Sequence, residues 1–324
     1  MPGRRTIGVD MGGTKLLAGA VDSELSVHHR VQRSMNRLDQ SYLLDVVVDA
    51  VEETREGAGA EVDAVGFGIP SLIDQRSGNA VIAVNLPLKD IVFADVMTER
   101  LGLPVFVDND ANLAALAEHR AGAARGCSEA VVLTIGTGIG SGLVLRDELY
   151  RGAVGAGAEL GHTVIDLNGP PCQGNCPNHG CIESLASGTA LAREALRIAH
   201  EQPTSGLGRA LAAGRELEGP LVTELAHDGD AAAIEAIELI GTRLGVAIAS
   251  FVNIFNPEVV VIGGGVMGAG ELLLSAARAE MLARALPPSR DVVRIVPAAF
   301  GVEAGMIGAA ALAFDGLDER MGAV

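Results

Sequence analysis

The stretch TIGVDMGGTKLLAGAV, residues 6–21, places a glycine-rich turn between two apolar runs. Residues 6–10 and 16–21 alternate apolar and small side chains, which predicts a β-hairpin with residues 11–15 as its turn. Glycines let backbone N–H groups approach a phosphate closely, and Thr14 and Lys15 add donors. Asp10, at the end of the first strand, can hold Mg²⁺ through water. An ordinary tight hairpin is the alternative interpretation.

The same pattern recurs in VVLTIGTGIGSGLVL, residues 131–145. Residues 131–135 and 143–145 predict two strands, and residues 136–142 form a turn of glycine, threonine and serine large enough for a phosphate. Two such hairpins at the starts of successive halves predict a duplicated domain with a nucleotide bound in the cleft between the copies.

A third glycine cluster follows a buried helix and an apolar strand. Apolar residues recur at helical spacing from Ile237 to Phe251, and residues 257–262 form a continuous apolar run, typical of a strand covered on both faces. This strand opens into residues 263–266, where glycines allow a flat ring or a ribose to lie against bare backbone.

Two carboxylates and an amide stand between a predicted strand and a predicted helix. Residues 105–107 predict the strand, Asp108, Asn109 and Asp110 follow it, and the helix covers about residues 111–119. This polar set is more than a helix cap requires, although Asp110 as a simple N-cap is the alternative.

Composition excludes some functional classes. The 324 residues are enough for two domains, and 41 acidic against 24 basic residues give a net charge of −17. Binding to nucleic acid or to an anionic membrane needs clustered Lys and Arg, which the chain lacks. The start lacks the apolar core of a signal peptide, and apolar runs such as residues 246–255 are shorter than the roughly 20 residues of a membrane span. We therefore expect a soluble cytoplasmic protein.

The four cysteines are clustered rather than dispersed. The stretch GAELGHTVIDLNGPPCQGNCPNHGCIESLAS, residues 157–187, holds three of them within ten residues, preceded by His162 and bracketed by Glu159 and Glu183. Clustered thiols in a cytoplasmic protein indicate metal binding rather than a disulfide framework. The fourth, Cys127, is expected to be a buried free thiol.

Taken together, these motifs resemble the ROK family of repressors, open reading frames and sugar kinases, and most closely its glucokinase branch. The resemblance covers nearly the whole chain, and its motifs are DMGGTK (10–15), NLP (85–87), DNDAN (108–112), IGTGIGSG (135–142), ELGH (159–162), CIES (181–184) and IGGG (262–265). It implies an α/β fold of two actin-like (ribonuclease-H-like) domains around a cleft, with a structural zinc loop. We place the smaller domain at residues 1–118 and the larger at 119–304, with a C-terminal helix near 305–324 packing back on the first.

The resemblance also implies an activity, the ATP-dependent phosphorylation of the 6-hydroxyl of a hexose, with glucose as the favoured substrate. Kinases for mannose, fructose, N-acetylglucosamine or N-acetylmannosamine are the alternatives, with polyphosphate as another donor. A sugar-responsive repressor would carry a helix-turn-helix segment ahead of the first hairpin, which here begins at residue 6. A non-catalytic binding protein would not need Asp110. Dimers are usual among similar kinases, so a homodimer or a dimer of dimers is expected.

Residue roles follow from the same resemblance. Asp110 matches the general base that takes the proton of the sugar hydroxyl. The sugar-binding positions are Asn85, Asn109, Asp110, Glu159, His162 and Glu183. The positions facing the phosphates and Mg²⁺ are Asp10, Gly12, Gly13, Thr14, Lys15, Gly136, Thr137 and Gly138. Gly264 and Gly265 match the adenosine site.

His162, Cys172, Cys176 and Cys181 form a Cys3His set, the composition of a closed structural Zn²⁺ site. The loop departs from the usual family pattern, because three residues rather than one separate Cys172 from Cys176. This leaves His179 as an alternative ligand to Cys172. After residues 85–87 the chain continues with Leu88 instead of the usual Gly and Trp, which leaves the sugar less certain than the reaction.

Overall fold

The computed structural model describes residues 3–35, 39–74, 79–83, 86, 88 and 91–322, with the backbone alone described for residues 71–74 and 79–83. Asn85, a predicted sugar-binding residue, lies outside the described residues. The strands are β1 (Arg5–Met11), β2 (Lys15–Asp22), β3 (Val27–Ser34), β4 (Val62–Ile69), β5 (Ser71–Asp74), β6 (Asn79–Ala83), β7 (Val105–Asn109), β8 (Glu129–Ile135), β9 (Ile139–Leu145), β10 (Glu148–Leu149), β11 (Val259–Gly263) and β12 (Arg294–Pro297). The helices are α1 (Gln40–Gly57), α2 (Phe93–Leu101), α3 (Asp110–Arg120), α4 (Ile182–Ala186), α5 (Gly188–Glu201), α6 (Gly206–Ala212), α7 (Gly219–His227), α8 (Ala231–Phe255), α9 (Glu271–Arg284), α10 (Ser289–Val292) and α11 (Ala304–Gly322).

The chain forms two compact units. Unit 1 comprises residues 1–126, 142–158 and 299–324, and unit 2 comprises residues 127–141 and 159–298. This division differs from the predicted boundaries, because it continues past residue 118 and returns residues 142–158 to unit 1. Sequence periodicity could not show that return, since β9 is one uninterrupted strand through which the division passes.

Unit 1 is built on a sheet with the strand order β3-β2-β1-β4-β7. The first three strands pair antiparallel, and β1, β4 and β7 pair parallel. Apolar residues of α1, α2 and the sheet form one core cluster, in which the rings of Phe67 and Phe93 meet edge to face with centroids 5.1 Å apart. The parallel strands end together, so Asp10, Gly68 and Asp108 lie side by side in the register.

Helix α11 approaches this sheet unusually closely. A Cβ atom on Gly8 of β1 would lie 1.8 Å from the Met306 carbonyl oxygen, and one on Gly66 of β4 would lie 1.8 Å from that of Ala309. Only glycine leaves room for the helix backbone at these two positions. The hydroxyl of Thr6 donates to the Ala310 carbonyl at 2.9 Å, which fixes the helix on the sheet.

The second sheet has the order β10-β9-β8-β11-β12, which repeats the order of the first strand by strand. Strands β8, β11 and β12 pair parallel as β1, β4 and β7 do. All five residues of β11 are buried, as its apolar run predicted. The repeated topology supports the predicted duplication, and the two hairpins with their glycine turns occupy matching places in the two sheets.

Helix α8 is the core helix of unit 2, and its apolar segment is longer than the run at residues 246–255 considered from the sequence. By length and composition alone, residues Ala231–Phe255 could cross a membrane. Their buried residues, from Ala232 to Val252, instead pack within the unit, and α9 lies along the helix. A long apolar helix is the expected core of an α/β protein of this size, so this helix is weak evidence for a membrane span.

Candidate active site and metal cluster

The turn of Asp108, Asn109 and Asp110 joins β7 to α3 in unit 1, and Asn109 is the N-cap. Its side-chain oxygen accepts hydrogen bonds from the N–H groups of Ala111 at 2.9 Å and Asn112 at 3.1 Å. Asp110 is the first residue of the helix. The alternative that Asp110 is the N-cap is therefore wrong, and its partly buried carboxylate is left for another purpose.

The buried side chain of Asp108 holds this turn in place. Its carboxylate is 1% exposed and pairs with Arg151, with Nε and Oδ2 2.6 Å apart. The other oxygen accepts from the Asn109 N–H at 2.7 Å and from the Asn112 side-chain amide at 3.2 Å. Because this carboxylate is buried and paired with a charged group, these contacts hold the chain that leads into Asp110.

Asp10 and Asp110 lie on either side of Gly68. A Cβ built on Gly68 would be 3.7 Å from Oδ1 of Asp10 and 3.5 Å from the Cα of Asp110. Burial, and secondarily the charge of Asp110, raise the pKa of Asp10 to about 7. Burial also raises the pKa of Asp110, against the opposing hydrogen bond from the Ala111 N–H. Two carboxylates that resist simultaneous ionisation are suited to a site that receives a cation or a proton.

The predicted phosphate turn of unit 1 is closed by its own backbone. The Gly12 N–H donates to the Lys15 carbonyl at 2.8 Å, and the Thr14 carbonyl accepts from the Met35 N–H at 2.8 Å. Gly13, Thr14 and Lys15 are exposed. The turn is therefore a fixed, accessible set of donors next to Asp10.

The matching turn of unit 2 is held by Glu183 at the start of α4. The carboxylate accepts from the Ile139 N–H at 2.8 Å, and a Cβ on Gly138 would lie 2.2 Å from it. The Gly136 carbonyl accepts from the Gly188 N–H at 2.8 Å. One oxygen of Glu183 thus binds the backbone of the glycine turn. The predicted sugar-binding role of Glu183 did not include this contact.

Gly264 and Gly265, the predicted adenosine positions, follow β11 and are both exposed. Gly264 has a φ of 89°, which glycine adopts without strain. A Cβ at Gly264 would lie 2.4 Å from the Ile135 carbonyl oxygen, so the backbone lies flat against the end of β8. Gly264 thus packs its backbone against Ile135, and the adenosine role of the two glycines stays a prediction.

The predicted metal ligands come together in unit 2. The ligand atoms of His162, Cys172, Cys176 and Cys181 all lie within 4.8 Å of one another. His179, the alternative, is exposed and is not part of this cluster. The three-residue spacing between Cys172 and Cys176 therefore keeps Cys172 among the ligands.

The distances fit a tetrahedral ion. Zn–S bonds of about 2.3 Å and Zn–N bonds of about 2.0 Å put two sulfurs about 3.8 Å apart, and a sulfur and a nitrogen about 3.5 Å apart. The Sγ atoms of Cys176 and Cys181 are 3.9 Å apart, and Sγ of Cys172 is 3.5 Å from Nδ1 of His162. Nδ1 is thus the nitrogen nearer the thiols, and Nε2 lies 4.0 Å from the Glu159 carboxylate.

Burial and the neighbouring thiols raise the pKa of Cys172, and burial raises the pKa of Cys181. A cation among the ligand atoms would favour the thiolate forms of Cys172 and Cys181, which burial disfavours. Thiolate is the form that binds zinc, so the donor set fits a Zn²⁺ ion that replaces the thiol protons.

Three residues near the predicted sites had no role that the sequence motifs predicted. Arg151 carries no motif, and only the fold brings it to Asp108. Asn112 was read as part of a motif without a role. Gln173 lies in the segment that makes the spacing between Cys172 and Cys176 longer than in the usual family pattern. That spacing was the one sequence signal that pointed to it.

Comparison with known proteins agrees with this geometry. The family model described as "ROK family" matches residues 6–315. The chain belongs to the ROK family. Among ROK relatives, the glucokinase of Thermotoga maritima is 36% identical over 99% of this chain and 100% of its own length. A xylose repressor of Bacillus spizizenii is 26% identical over 96% of this chain and 77% of its own length.

Among solved ROK structures, a glucokinase from Streptomyces griseus in complex with glucose and AMPPNP superposes with a TM-score of 0.85. It is 33% identical, and the match covers 96% of this chain and 99% of that one. The family and the mixed α/β fold expected from the motifs are thereby confirmed.

Proposed function

We propose that this ROK protein is an ATP-dependent glucokinase that transfers the γ-phosphoryl group of ATP to the 6-hydroxyl of glucose. The observation that carries the proposal is the partly buried carboxylate of Asp110, which accepts from the Ala111 N–H and is held at the start of α3 by the cap of Asn109 and the anchor of Asp108. The full-length similarity to glucokinases and to a glucokinase that binds glucose and AMPPNP supports both substrates.

Asp110 acts as the general base. Its carboxylate takes the proton of the 6-hydroxyl as that oxygen attacks the γ-phosphorus, and ADP leaves from the opposite side. A raised pKa strengthens the base, provided that the carboxylate is still ionised at working pH. Such a base contributes about 10²–10⁴ in rate, and positioning of the two substrates supplies most of the remainder.

The sugar is bound by amides, carboxylates and an imidazole. Asn85, Asn109, Glu159, His162 and Glu183 offer donors and acceptors to the hydroxyls, and a buried hydroxyl left without a partner is costly. Nδ1 of His162 serves the metal, which leaves Nε2 for a sugar hydroxyl. Glu183 has Oε2 committed to the Ile139 N–H, so Oε1, which lies 3.8 Å from the Cys172 Sγ, is the oxygen assigned to the sugar.

The phosphates are bound by the two glycine turns. Gly12, Gly13, Thr14 and Lys15 donate in unit 1, and Gly136, Thr137 and Gly138 in unit 2, while Gly264 and Gly265 receive the adenosine. Mg²⁺, when bound with ATP near Asp10, would neutralise phosphate charge. His162, Cys172, Cys176 and Cys181 would hold Zn²⁺ with four protein ligands, and the ion would fix the loop that carries Glu159 and Glu183.

A hexose panel tests the proposal. ADP release is measured with glucose, mannose, fructose, N-acetylglucosamine and N-acetylmannosamine, with ATP or polyphosphate as donor. We expect ATP and glucose to give the highest kcat/KM. The Asp110→Asn protein, prepared in parallel, excludes a contaminating kinase. A preference for an acetylated sugar would reassign the substrate, and absence of ADP release with every sugar would contradict the activity.

A sugar-responsive repressor is the second candidate, suggested by the match to xylose repressors. The net charge of −17 opposes it, since DNA binding draws on clustered basic residues. Electrophoretic mobility shift with duplex DNA, with and without xylose and glucose, separates the two functions. Sedimentation velocity of the same preparation tests the expected homodimer or dimer of dimers.

A further inference from the structure

The three residues between Cys172 and Cys176 do not simply lengthen the metal loop. Gly174, with a φ of 60°, and Asn175 are exposed, whereas the side chain of Gln173 is half-buried. The Gln173 carbonyl accepts from the Cys176 N–H at 3.4 Å. Gln173 therefore directly follows one metal ligand and is hydrogen-bonded to the next, so its position depends on the cluster.

The Gln173 side chain reaches the glycine turn of unit 2. Its amide nitrogen lies 3.3 Å from the Thr137 carbonyl oxygen and 3.2 Å from the Ser187 hydroxyl. Its amide oxygen lies 3.4 Å from the Thr189 hydroxyl, which is itself 2.8 Å from the Thr137 carbonyl. Ser187 is the N-cap of α5, so Gln173 joins the metal loop, the start of α5 and the turn.

The Thr137 carbonyl belongs to the peptide unit that carries the Gly138 N–H. In a planar trans peptide, the C=O and the N–H point in opposite directions. Holding the carbonyl toward Gln173 and Thr189 therefore points the Gly138 N–H away from the metal loop. Thr137 is exposed, whereas Glu183 packs against Gly138 and the Gly136 N–H donates to the Gly138 carbonyl at 2.9 Å, so the hydrogen bonds to the Thr137 carbonyl fix the other side of this peptide.

We propose that Gln173 is a positioning residue for the nucleotide, which couples occupancy of the Cys3His cluster to the orientation of the Gly138 N–H. The inference rests on the proposed function, in which the turn at residues 136–138 binds phosphate. The metal loop then serves the phosphoryl donor as well as the sugar. Loss of the Gln173 amide leaves the Thr137 carbonyl with the Thr189 hydroxyl alone, so the peptide is held less firmly and the Gly138 N–H is a less well oriented donor for the bound phosphate.

The experiment measures binding of AMPPNP with Mg²⁺ by calorimetry, with zinc content measured on the same samples. One neutral hydrogen bond is worth about 1 kcal/mol, or about fivefold in affinity. We expect Gln173→Ala to weaken AMPPNP about three- to tenfold while keeping its zinc, its Tm and its KM for glucose. Gln173→Glu, which has no amide donor for the Thr137 carbonyl, should weaken AMPPNP at least as much.

Asn175→Ala is the matched control, an exposed residue of the same three-residue segment, and should bind AMPPNP like the wild type. Zinc removal should weaken AMPPNP more in the wild type than in Gln173→Ala, since the variant has already lost the connection.

The possible failures are distinguishable. A wild-type protein that does not bind AMPPNP contradicts the proposed function itself. A wild type that binds, with Gln173→Ala within twofold of it, overturns the inference alone. Loss of zinc from Gln173→Ala, or an equal effect of zinc removal on both proteins, also overturns it, because the residue would then retain metal rather than transmit its presence.

Discussion

Arg151 and Asp108 form an ion pair in which the carboxylate is almost fully buried and the guanidinium is 30% exposed. Removing the arginine leaves the buried carboxylate without its charged partner. We expect Arg151→Ala to lower the free energy of unfolding by about 1–3 kcal/mol and to reduce kcat, because the turn that carries Asp110 loses its anchor. Thermal unfolding and steady-state kinetics measure both effects. Arg215→Ala, at an exposed arginine, should change neither.

Asp110→Asn keeps the shape of the side chain but removes the base. We expect kcat to fall by about 10²–10⁴ while Tm and glucose binding stay close to those of the wild type. Asp228→Asn, at an exposed helix end, is the control. Turnover of Asp110→Asn at the wild-type rate would exclude Asp110 as the base.

Asp10 makes stability depend on pH. With a folded pKa of about 7 against an ordinary 3.8, the folded state binds more protons than the unfolded state between these values. Stability therefore falls as pH rises through that window, and Asp10→Asn, which mimics the protonated form, escapes the loss. In Mg²⁺-free buffer we expect the variant to melt like the wild type near pH 4 and above it at pH 8. A difference in Tm that does not vary with pH would contradict the assignment.

The metal cluster predicts about one zinc per chain. Cys176→Ser should abolish zinc binding and lower Tm, because three remaining ligands leave the site open and the loop loses its cross-link. Cys127→Ser, at a buried free thiol outside the cluster, should retain the metal. Elemental analysis of the purified proteins decides between these outcomes, and a metal-free wild type with full activity would end the structural-zinc hypothesis.

Close packing of α11 predicts a large effect from a single methyl group. In Gly66→Ala the new Cβ would meet the Ala309 carbonyl, so the helix must move, and we expect a loss of about 3 kcal/mol in the free energy of unfolding. Gly219→Ala, with no atom within 4 Å of its Cβ, should stay within about 0.5 kcal/mol of the wild type. Urea denaturation compares them.

Sequence patterns were sufficient for the elements that local chemistry determines. Both glycine hairpins, the buried strand β11 and the Cys3His cluster have strict spacing or periodicity, and each appears where expected. The sequence could not show whether Asn109 or Asp110 caps α3, since both residue types are good N-caps and stand next to each other.

Contacts between distant segments were beyond the sequence. The pairing of Arg151 with Asp108, and the return of residues 142–158 to unit 1, depend on how the strands are arranged rather than on any local preference. Glu183 illustrates the same limit. A motif can mark the residue, but only the fold shows that its carboxylate accepts from the Ile139 N–H.

Because α11 packs directly on β1 and β4, unit 1 cannot be completed until this helix has been synthesised. Unit 1 draws on residues 1–126 and 299–324, with all of unit 2 encoded between them. The helix that covers Gly8 and Gly66 is therefore synthesised only after all of unit 2. Unit 1, although begun first, is the second of the two units to have its whole sequence available for folding.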